Sequence, residues 1–572
     1  ITDLHVSEYV DGLRITQLEE FCTETVDTIR PAVVIASGDL TDAKTNLGFG
    51  SAQREWEWKE YSRIIRETRV TERTTWLDIR GNHDSFNVPS RDSKLNYYKT
   101  HSQRGNGTSY HYVHKFGPDS ISFIGVDACP DPGFRRPFNF FGVLTEEDMR
   151  HLEVLAKNSR ESNVTVWFGH YPTSVISSAA PGIANVMSGG VAYLSGHLHT
   201  LGGHLFELYA MQKSGTLELE LGDWKDNRLF RLMAVDHDLF SFTDVNFNDW
   251  PMAMITNPKD VRFYAPVHEP LDRISRSTHV RVLAFSPRGI RSVEVPTPDE
   301  KAFKPAKRVD DSPLFILPGH NDGRVREIVH DFATRDAEVP TFGIIRRLVL
   351  MADLGKLFAT LTYGIAFANL FVLMVFGTNA IKTVYGMLVR RFAWFAWLGV
   401  PSIGVFRDLH AALSIPWVFR TLFFSTAYVV IMPWFYGEIV GEAHGTVFTY
   451  GIWMDGQWLQ GQMTHMFAVT HLGFHCTPLS LCTALYVRSR LKHPAAKMSR
   501  IFYHVVYVLI LFSELWSLKI FADCYGLISV ATNGLLMYSG IMPALFLWWK
   551  SWNLPSGHSD TSKYTKVQAY RK

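Results

Sequence analysis

The fold is decided by residues 32–42, which read Ala-Val-Val-Ile-Ala-Ser-Gly-Asp-Leu-Thr-Asp. The stretch opens with a short apolar run rich in β-branched side chains and reaches a glycine, which is typical of a buried strand. Residues 11–29 and 52–67 have the pattern of helices. Four similar strand-like runs follow, at 75–79, 122–126, 164–168 and 191–195. Because ligand sites in α/β sheets gather beyond the carboxyl ends of strands, the sequence predicts an α/β core with a polar site at one edge.

Five polar motifs lie in order along this region. They are Asp3-Leu4-His5, Gly38-Asp39-Leu40-Thr41-Asp42, Gly81-Asn82-His83-Asp84, Gly169-His170 and Gly196-His197-Leu198-His199. One histidine after a strand is usually a hydrogen-bonded core residue, but five such motifs at one sheet edge predict a metal centre. Carboxylate and amide oxygens with imidazole nitrogens suit Mn, Fe or Zn. Two such ions about 3.5–4 Å apart can clamp the attacking and leaving oxygens of a phosphoryl transfer.

The motif set resembles that of the calcineurin-like metallophosphoesterases, D-x-H, G-D-x-x-D, G-N-H-D, G-H and G-H-x-H, across residues 1–250. The resemblance implies an α/β sandwich of two mixed β-sheets flanked by helices, and two divalent metal ions of uncertain identity. It implies no other cofactor. The first ion would take Asp3, His5, Asp39 and His199. The second would take Asp39, Asn82, His170 and His197, with Asp39 bridging the pair.

The resemblance also assigns the catalytic roles. His83 would be a non-ligand histidine that contacts the phosphate and protonates the leaving oxygen while water attacks, and Asp84 would orient its ring. Asp42, the second acid of G-D-x-x-D, is expected to cap the loop. Arg135 and Arg136 could bind a phosphate or an anionic lipid head group, although a solvated loop pair is the simpler interpretation.

Residues 251–342 have a different pattern of apolar and polar residues. Apolar and polar residues alternate in short runs separated by turn signals, which predicts a small antiparallel β-sandwich of the Ig type. The runs are 261–264, 279–285, 290–295 and 325–329. No catalytic constellation is expected there.

Charged residues become sparse beyond this point, and residues 357–550 are predicted to be a transmembrane domain of about five helices. The apolar segments are long enough, at 1.5 Å per residue, to cross a bilayer core of about 30 Å. They are 357–376, 421–437, 463–487, 501–518 and 525–549. Run 392–406 is shorter and is expected to lie at the interface. An interfacial helix or linker at 343–356 should precede this domain, and a cytosolic tail at 551–572 should follow it.

The loops predict the orientation. Loop 438–462 contains no Lys or Arg, whereas loop 488–500 and the tail are basic. By the positive-inside rule the tail is cytosolic and the catalytic domain lumenal or extracellular. Sequons at Asn106 and Asn163 are candidate glycosylation sites on that side. Arg346, Arg347 and Lys356 argue the other way, unless 343–356 lies on the membrane surface.

Composition excludes two further classes of protein. A net charge of +2 excludes a strongly basic nucleic-acid binder. Five cysteines in 572 residues exclude a disulfide scaffold, although Cys22 and Cys129 could pair or stay free. Several ionisable groups fall in the apolar segments, and helix–helix hydrogen bonding is favoured there over a metal or proton site. They are His465, His471, His475, His504 and Glu514.

The sequence therefore predicts a membrane-bound phosphoesterase acting on the non-cytosolic side. The substrate would be a phosphomonoester or phosphodiester, with a lipid-linked one included. Membrane lipids are expected partners, nucleic acid is not, and the oligomeric state is left open. The alternative is a membrane receptor or scaffold that binds metal but turns over little; a transporter with an enzymatic cap rests only on the intramembrane histidines. The chain starts at Ile1, so an upstream strand is expected.

Overall fold

The computed structural model describes residues 1–554 apart from 47, 106–107, 298–299, 319–341, 378–409 and 493–496. The predicted strand at 325–329, the run 392–406, the Asn106 sequon and most of the tail lie outside these residues. The chain divides into two compact units, Ile1–Leu354 and Gly355–Lys572.

A six-stranded mixed sheet forms the centre of the first unit. Its four inner strands run parallel, and an antiparallel strand borders them on each side. In sheet order the strands are Tyr110–Phe116, Asp119–Val126, Val164–Gly169, Ala192–Ser195, Leu217–Glu220 and Tyr209–Met211. The inner strands are buried along most of their length, as expected for parallel strands covered on both faces.

Smaller sheets complete this core. Val33–Ala36 pairs in parallel with Thr75–Asp78, and its buried Val34 and Ile35 explain the apolar run from which the fold was predicted. The other pairs are Gly142–Leu144 with Ile176–Ser178 and the hairpin Leu229–Asp236 with Leu239–Asn246. The predicted α/β core is confirmed.

The helices of the core occur where the sequence predicts them. Residues 13–29 form one helical stretch, with Phe21–Thr25 in π conformation, and Glu55–Glu67 forms the next helix. Thr145 begins Glu146–Ser159 by accepting a hydrogen bond from the Asp148 backbone N–H, a capping box. Shorter helices are Asn82–Ser85, Tyr98–His101, Ile183–Val186, Trp224–Asn227 and Asp272–Ser275.

The region after the core contains an antiparallel five-stranded sheet. In sheet order its strands are Met252–Asn257, His279–Phe285, Leu314–Pro318, Glu300–Arg308 and Val293–Thr297. The strand predicted at 261–264 is wrong. Val261–Phe263 is a 3₁₀ turn, because the Asp260 carboxylate accepts a hydrogen bond from the Arg262 backbone N–H and bends the chain.

The predicted interfacial segment contains the helix Ile344–Met351. Leu350 is buried beside Leu208 and Ala210, and its carbonyl accepts a hydrogen bond from the Thr173 hydroxyl. This edge of the helix therefore packs on the α/β core of the first unit. Ile344, Ile345 and Leu348 stay exposed on the helix, and their contact with a membrane stays a prediction.

In the described part of the second unit, three helices are long and apolar enough to cross a membrane. They are Leu354–Gly377, Ile501–Tyr525 and Leu527–Trp552. The last one includes the π-helical segment Leu535–Ile541. Residues 462–492 also form a helix, with a π segment at Leu472–Cys476. The number of membrane crossings stays a prediction.

The segment predicted as a span at 421–437 requires a correction. Its helix is Pro416–Ile431, and the chain then enters a four-stranded antiparallel sheet in the region predicted to be a loop. The strands are Phe435–Val440, Ala443–Phe448, Gly451–Met454 and Gln457–Leu459. Gly441 and Gly456 adopt positive φ between these strands, which permits the tight turns.

Candidate metal centre

The predicted ligands follow the carboxyl ends of parallel strands. Asp39 comes after Val33–Ala36, and Asn82 after Thr75–Asp78. His170 follows Val164–Gly169, and His197 with His199 follows Ala192–Ser195. Parallel strands end at a common edge, so residues distant in sequence meet there.

Asp3 and His5 join this edge through the backbone. The Asp3 N–H donates to the Gly38 carbonyl at 3.0 Å, and the His5 N–H donates to the Asp39 carbonyl at 2.9 Å. The first motif therefore runs beside the second.

Two groups of donor atoms share the Asp39 carboxylate. In the first, Asp3 Oδ1 lies 2.9 Å from His199 Nε2 and 3.8 Å from His5 Nε2. Asp39 Oδ2 lies 3.4 Å from that same His5 nitrogen. The first group therefore consists of Asp3, His5, Asp39 and His199.

The second group is built around the Asn82 side-chain oxygen. This oxygen lies 2.9 Å from both His170 Nε2 and His197 Nδ1. His170 Nε2 in turn lies 3.3 Å from Asp39 Oδ2. All seven side chains thus meet at one place, and only His199 is more than marginally accessible to solvent.

The hydrogen bonds on the outer sides of the rings show that these residues fit divalent cations. His5 Nδ1 lies 3.0 Å from the Asp42 carboxylate, and His170 Nδ1 lies 3.1 Å from the Ser37 carbonyl. Both partners are acceptors, so each ring donates there through Nδ1 and turns its Nε2 into the site. Each Nε2 faces carboxylate or amide oxygens, an arrangement that needs positive charge, which a bound divalent ion would supply in place of a ring proton.

The pKa values reflect the close packing of buried histidine and aspartate side chains at this site. Burial alone would lower the pKa of His170, but the neighbouring Asp39 carboxylate raises it to about 9. Burial lowers the pKa of His197 to about 3, and His170 nearby contributes. The Asp39 pKa lies below its usual value because the surrounding histidines outweigh the effect of burial. The site therefore favours positive charge next to Asp39.

The backbone is strained at this edge. Five of the seven predicted ligand residues adopt a left-handed conformation, with φ between 46° and 78°. They are Asp3, His5, Asp39, His197 and His199. Such strain collects at functional sites, where the surrounding structure enforces it. A Cβ at Gly81 would collide with the Asp39 carboxylate, and one at Gly196 with that of Asp3. These two glycines let the loops approach the donors.

His83 lies beside the donors without joining either group. Its Nδ1–H donates to the Asp42 carbonyl at 2.5 Å, which leaves Nε2 turned toward Asp39 Oδ2 at 3.9 Å. Burial lowers the pKa of His83 well below its usual value. The position allows the predicted contact with substrate, and the assignment of His83 as a non-ligand stays a prediction.

The prediction that Asp84 orients the His83 ring is wrong. The Asp84 carboxylate accepts hydrogen bonds from the backbone N–H groups of Leu40, Thr41 and Gly81 and from the Thr41 hydroxyl, at 2.8–3.1 Å. It therefore ties the second motif to the third, and its pKa rises to about 7 through burial. The Asp42 carbonyl orients His83 instead.

Asp42 does more than cap a loop. Its carboxylate contacts His5 Nδ1 and Lys44 Nζ, each at 3.0 Å, and accepts from the Ser7 hydroxyl at 3.1 Å. Sequence reasoning also missed Asp223, whose carboxylate lies 3.8 Å from His199 Nδ1. The signal was present, because Gly222-Asp223 follows the strand Leu217–Glu220 in the same way as the recognised motifs.

Replacing Asp84 with alanine should destabilise the protein by about 3–5 kcal/mol, because three backbone N–H groups and a hydroxyl lose a buried acceptor. Thermal unfolding of the metal-free chain measures this loss. Asp92→Ala removes an exposed aspartate that pairs with Lys99, and it should leave the unfolding temperature unchanged. Equal unfolding temperatures for the two variants would contradict the proposed tie between the motifs.

Other predicted features have mixed outcomes. Cys22 and Cys129 are both free and buried, so they do not pair. The Arg136 guanidinium donates to the Gly48 carbonyl at 2.6 Å, which attaches this residue to a neighbouring loop. Asn163 is exposed, whereas Val164 and Thr165 of the same sequon are buried in the strand Val164–Gly169.

Comparison with known proteins agrees with this geometry. Residues 1–201 match the family model described as calcineurin-like phosphoesterase, and residues 247–322 match the one described as the TMEM62 Ig-like domain. Mouse transmembrane protein 62 is 42% identical over 496 residues, covering 84% of this chain and 75% of the mouse protein. A metallophosphoesterase-like protein of Arabidopsis thaliana is 28% identical over 313 residues, covering 46% of this chain and 42% of that protein.

Among solved structures, a dimetal phosphatase from Danio rerio aligns with 43% of this chain and 98% of its own, at 14% identity and a TM-score of 0.30. The family match supports the metallophosphoesterase fold, which implies divalent metal ions, and the three apolar helices agree with a membrane protein. The chain belongs to the transmembrane protein 62 family, with a calcineurin-like phosphoesterase domain at residues 1–201 and an Ig-like domain at 247–322.

Proposed function

We propose that this protein is a membrane-bound, metal-dependent phosphoesterase that hydrolyses a phosphomonoester or phosphodiester. One observation carries the proposal. Seven candidate metal-binding side chains, Asp39 among them, meet at one place, and His83 turns its Nε2 toward the Asp39 carboxylate. A site that only binds metal has no chemical need for that histidine.

The donor set suits two divalent ions: Asp3, His5, Asp39 and His199 would hold one, and Asp39, Asn82, His170 and His197 would hold the other. When bound, such ions stabilise the charge that develops on the phosphoryl oxygens and promote attack by water. Asp42 and Ser37 hold the rings of His5 and His170 from behind, so each Nε2 stays aimed at its position. His83 is fixed by the Asp42 carbonyl through Nδ1, so its Nε2 faces the site. An anionic phosphate bound there would raise the lowered pKa of His83, and the ring protonated at Nε2 would then pass that proton to the leaving oxygen.

The substrate and the side of the membrane form part of the proposal. The basic loop 488–500 and tail favour a cytosolic C-terminus, and the loop 438–462, without Lys or Arg, favours the opposite side for its own position and for the catalytic domain. An active site anchored beside a bilayer meets substrates held in that bilayer at high local concentration. A lipid-linked phosphoester is therefore the preferred substrate class.

A phosphoester panel tests the activity. The full chain in detergent would be stripped with a chelator and reloaded with Mn²⁺, Fe²⁺ or Zn²⁺. It would then be assayed on p-nitrophenyl phosphate, bis-p-nitrophenyl phosphate and a lipid-linked phosphodiester in vesicles. We expect turnover that needs both metal and His83. A metal-loaded wild type that hydrolyses no class faster than His83→Ala would overturn the proposal and favour the receptor or scaffold.

The orientation predicts that Asn163 carries a glycan in cells. Asn163 is exposed, and its sequon would face the glycosylation machinery if the catalytic domain is lumenal. An endoglycosidase should increase the mobility of the wild type on a gel but not that of an Asn106→Gln/Asn163→Gln double variant. Digestion of residues 1–340 by a protease confined to the cytosolic side of intact vesicles would disprove this orientation.

A further inference from the structure

A second cluster of metal-binding side chains lies inside the second unit, among helices that the sequence assigns to the membrane. His471 ends the helix Gln462–His471, His475 lies in the adjoining π segment, and Glu514 comes from Lys497–Tyr525. Their side chains are 7%, 4% and 5% exposed. Burying a carboxylate among apolar helices is costly unless it is paired with positive charge.

The three side chains converge on one point. His475 Nδ1 lies 2.6 Å from Glu514 Oε1, and His471 Nδ1 lies 3.6 Å from the same oxygen. The two imidazole rings stack with centroids 4.8 Å apart. One ligand atom from each residue lies within 4.8 Å of the other two. The geometry is that of two histidines four positions apart on one helix, facing a carboxylate from a second helix.

Hydrogen bonding determines which His471 nitrogen carries the proton. The Ser539 hydroxyl donates to the Ser425 carbonyl at 2.8 Å, so it has no proton left for the ring. Ser539 Oγ therefore accepts from His471 Nε2–H, at 3.0 Å. The neutral ring then directs its Nδ1 lone pair at a carboxylate oxygen. Metal-binding histidines are held in this way, with the outer N–H bonded to an oxygen.

Other atoms of the cluster lack partners. Glu514 Oε2 and His475 Nε2 are buried and have no hydrogen-bond partner among the described residues. In a bundle of helices such groups are costly when left without a partner. A cation at this point would explain both features. It would bind the His471 Nδ1 lone pair that faces the carboxylate, and it would give Glu514 Oε2 a partner.

The surrounding backbone is shaped for the cluster. Two π-helical segments, Leu472–Cys476 and Leu535–Ile541, supply His475 and Ser539. Segments of this kind are frequently found at functional sites. Gly540 provides the room for the carboxylate, since a Cβ there would lie 2.7 Å from Glu514 Oε2.

We propose that His471, His475 and Glu514 bind one divalent transition-metal ion inside the second unit, separate from the phosphoesterase centre. Two imidazoles and one carboxylate form the ligand set of many zinc sites, which leave a further position for water or another ligand. The ion would neutralise Glu514 and hold the helices 462–492 and Lys497–Tyr525 together. This inference does not depend on the proposed phosphoesterase activity.

Metal content tests the proposal directly. The full chain in detergent would be stripped with a chelator, reloaded with excess Zn²⁺, freed of unbound ion by gel filtration, and analysed by mass spectrometry for zinc per chain. His475→Ala and Glu514→Gln should each bind one equivalent less than the wild type. Glu514→Gln nearly preserves the size of the side chain, so it reports on ligation even if His475→Ala does not fold.

His465→Ala is the matched control. His465 lies on the same helix, is partly buried, and packs its ring against Tyr363 with centroids 5.7 Å apart. It should keep the full zinc content. Co²⁺ loaded into the wild type should also give a visible absorption component that Glu514→Gln lacks. Equal zinc content in the wild type and both cluster variants would overturn the proposal and leave a hydrogen-bonded histidine–carboxylate network.

Discussion

Replacing His83 with alanine should lower turnover by about 10²- to 10⁴-fold and leave the metal content close to that of the wild type. That range is the usual contribution of a general acid or base. The His83 ring bonds the Asp42 carbonyl through Nδ1 and stays 3.9 Å from the Asp39 carboxylate, outside both donor groups. Its loss therefore removes a proton donor and keeps all seven metal-binding side chains.

Two measurements on the same preparation separate these effects. Metal content per chain reports on the donors, and single-turnover rates on an activated and a poorly activated leaving group report on protonation. An aryl phosphate leaves without much help from an acid, so its rate should fall less than that of an alkyl phosphate. If metal content falls together with activity, His83 is a ligand and the assigned role is wrong.

Replacing Asp39 with asparagine should abolish both metal binding and activity. The Asp39 carboxylate lies within 3.4 Å of a histidine from each donor group, so one substitution removes the charge that both positions share. Asparagine has nearly the same shape and tolerates the left-handed backbone found at Asp39, with φ of 50°. The loss should therefore be one of ligation rather than of folding.

The control for this substitution is Asp92→Asn, which neutralises an exposed carboxylate on the same domain. It should keep both metal and turnover. Circular dichroism should show that Asp39→Asn has the secondary structure of the wild type. Full metal content in Asp39→Asn would contradict the bridging position.

The sequence predicted that the seven candidate ligands converge, and it could do so because the rule that governs their placement is local. A short apolar strand followed by Gly and a polar residue indicates where each strand ends, and parallel strands must end together. The prediction of His170 as a ligand required only the recognition of the strand that precedes it. Asp3 and His5, predicted without a preceding strand, are held by backbone hydrogen bonds to residues 38 and 39.

Roles that depend on side-chain direction could not be predicted in the same way. Asp84 and Asp42 are both acids beside His83, and only the folded loops show that Asp84 binds backbone N–H groups while the Asp42 carbonyl holds the ring. Hydropathy likewise could not distinguish strands from the end of a membrane-spanning helix at residues 435–459. Apolar strands and an apolar helix end have similar composition, so the sequence predicts the end of a span and a loop where the structure has a sheet.

The left-handed backbone at five of the ligands restricts what each position can accept. A residue there must supply a donor atom and also adopt a conformation that costs most L-amino acids about 1–2 kcal/mol. Asp, Asn and His are the residue types that satisfy both demands most readily. An alanine substitution at one of these positions would remove the donor atom and also add backbone strain. Alanine scanning would therefore overestimate the contribution of the donor atom to metal binding. Engineering of metal preference has more freedom at Asn82 and His170, where φ is not positive.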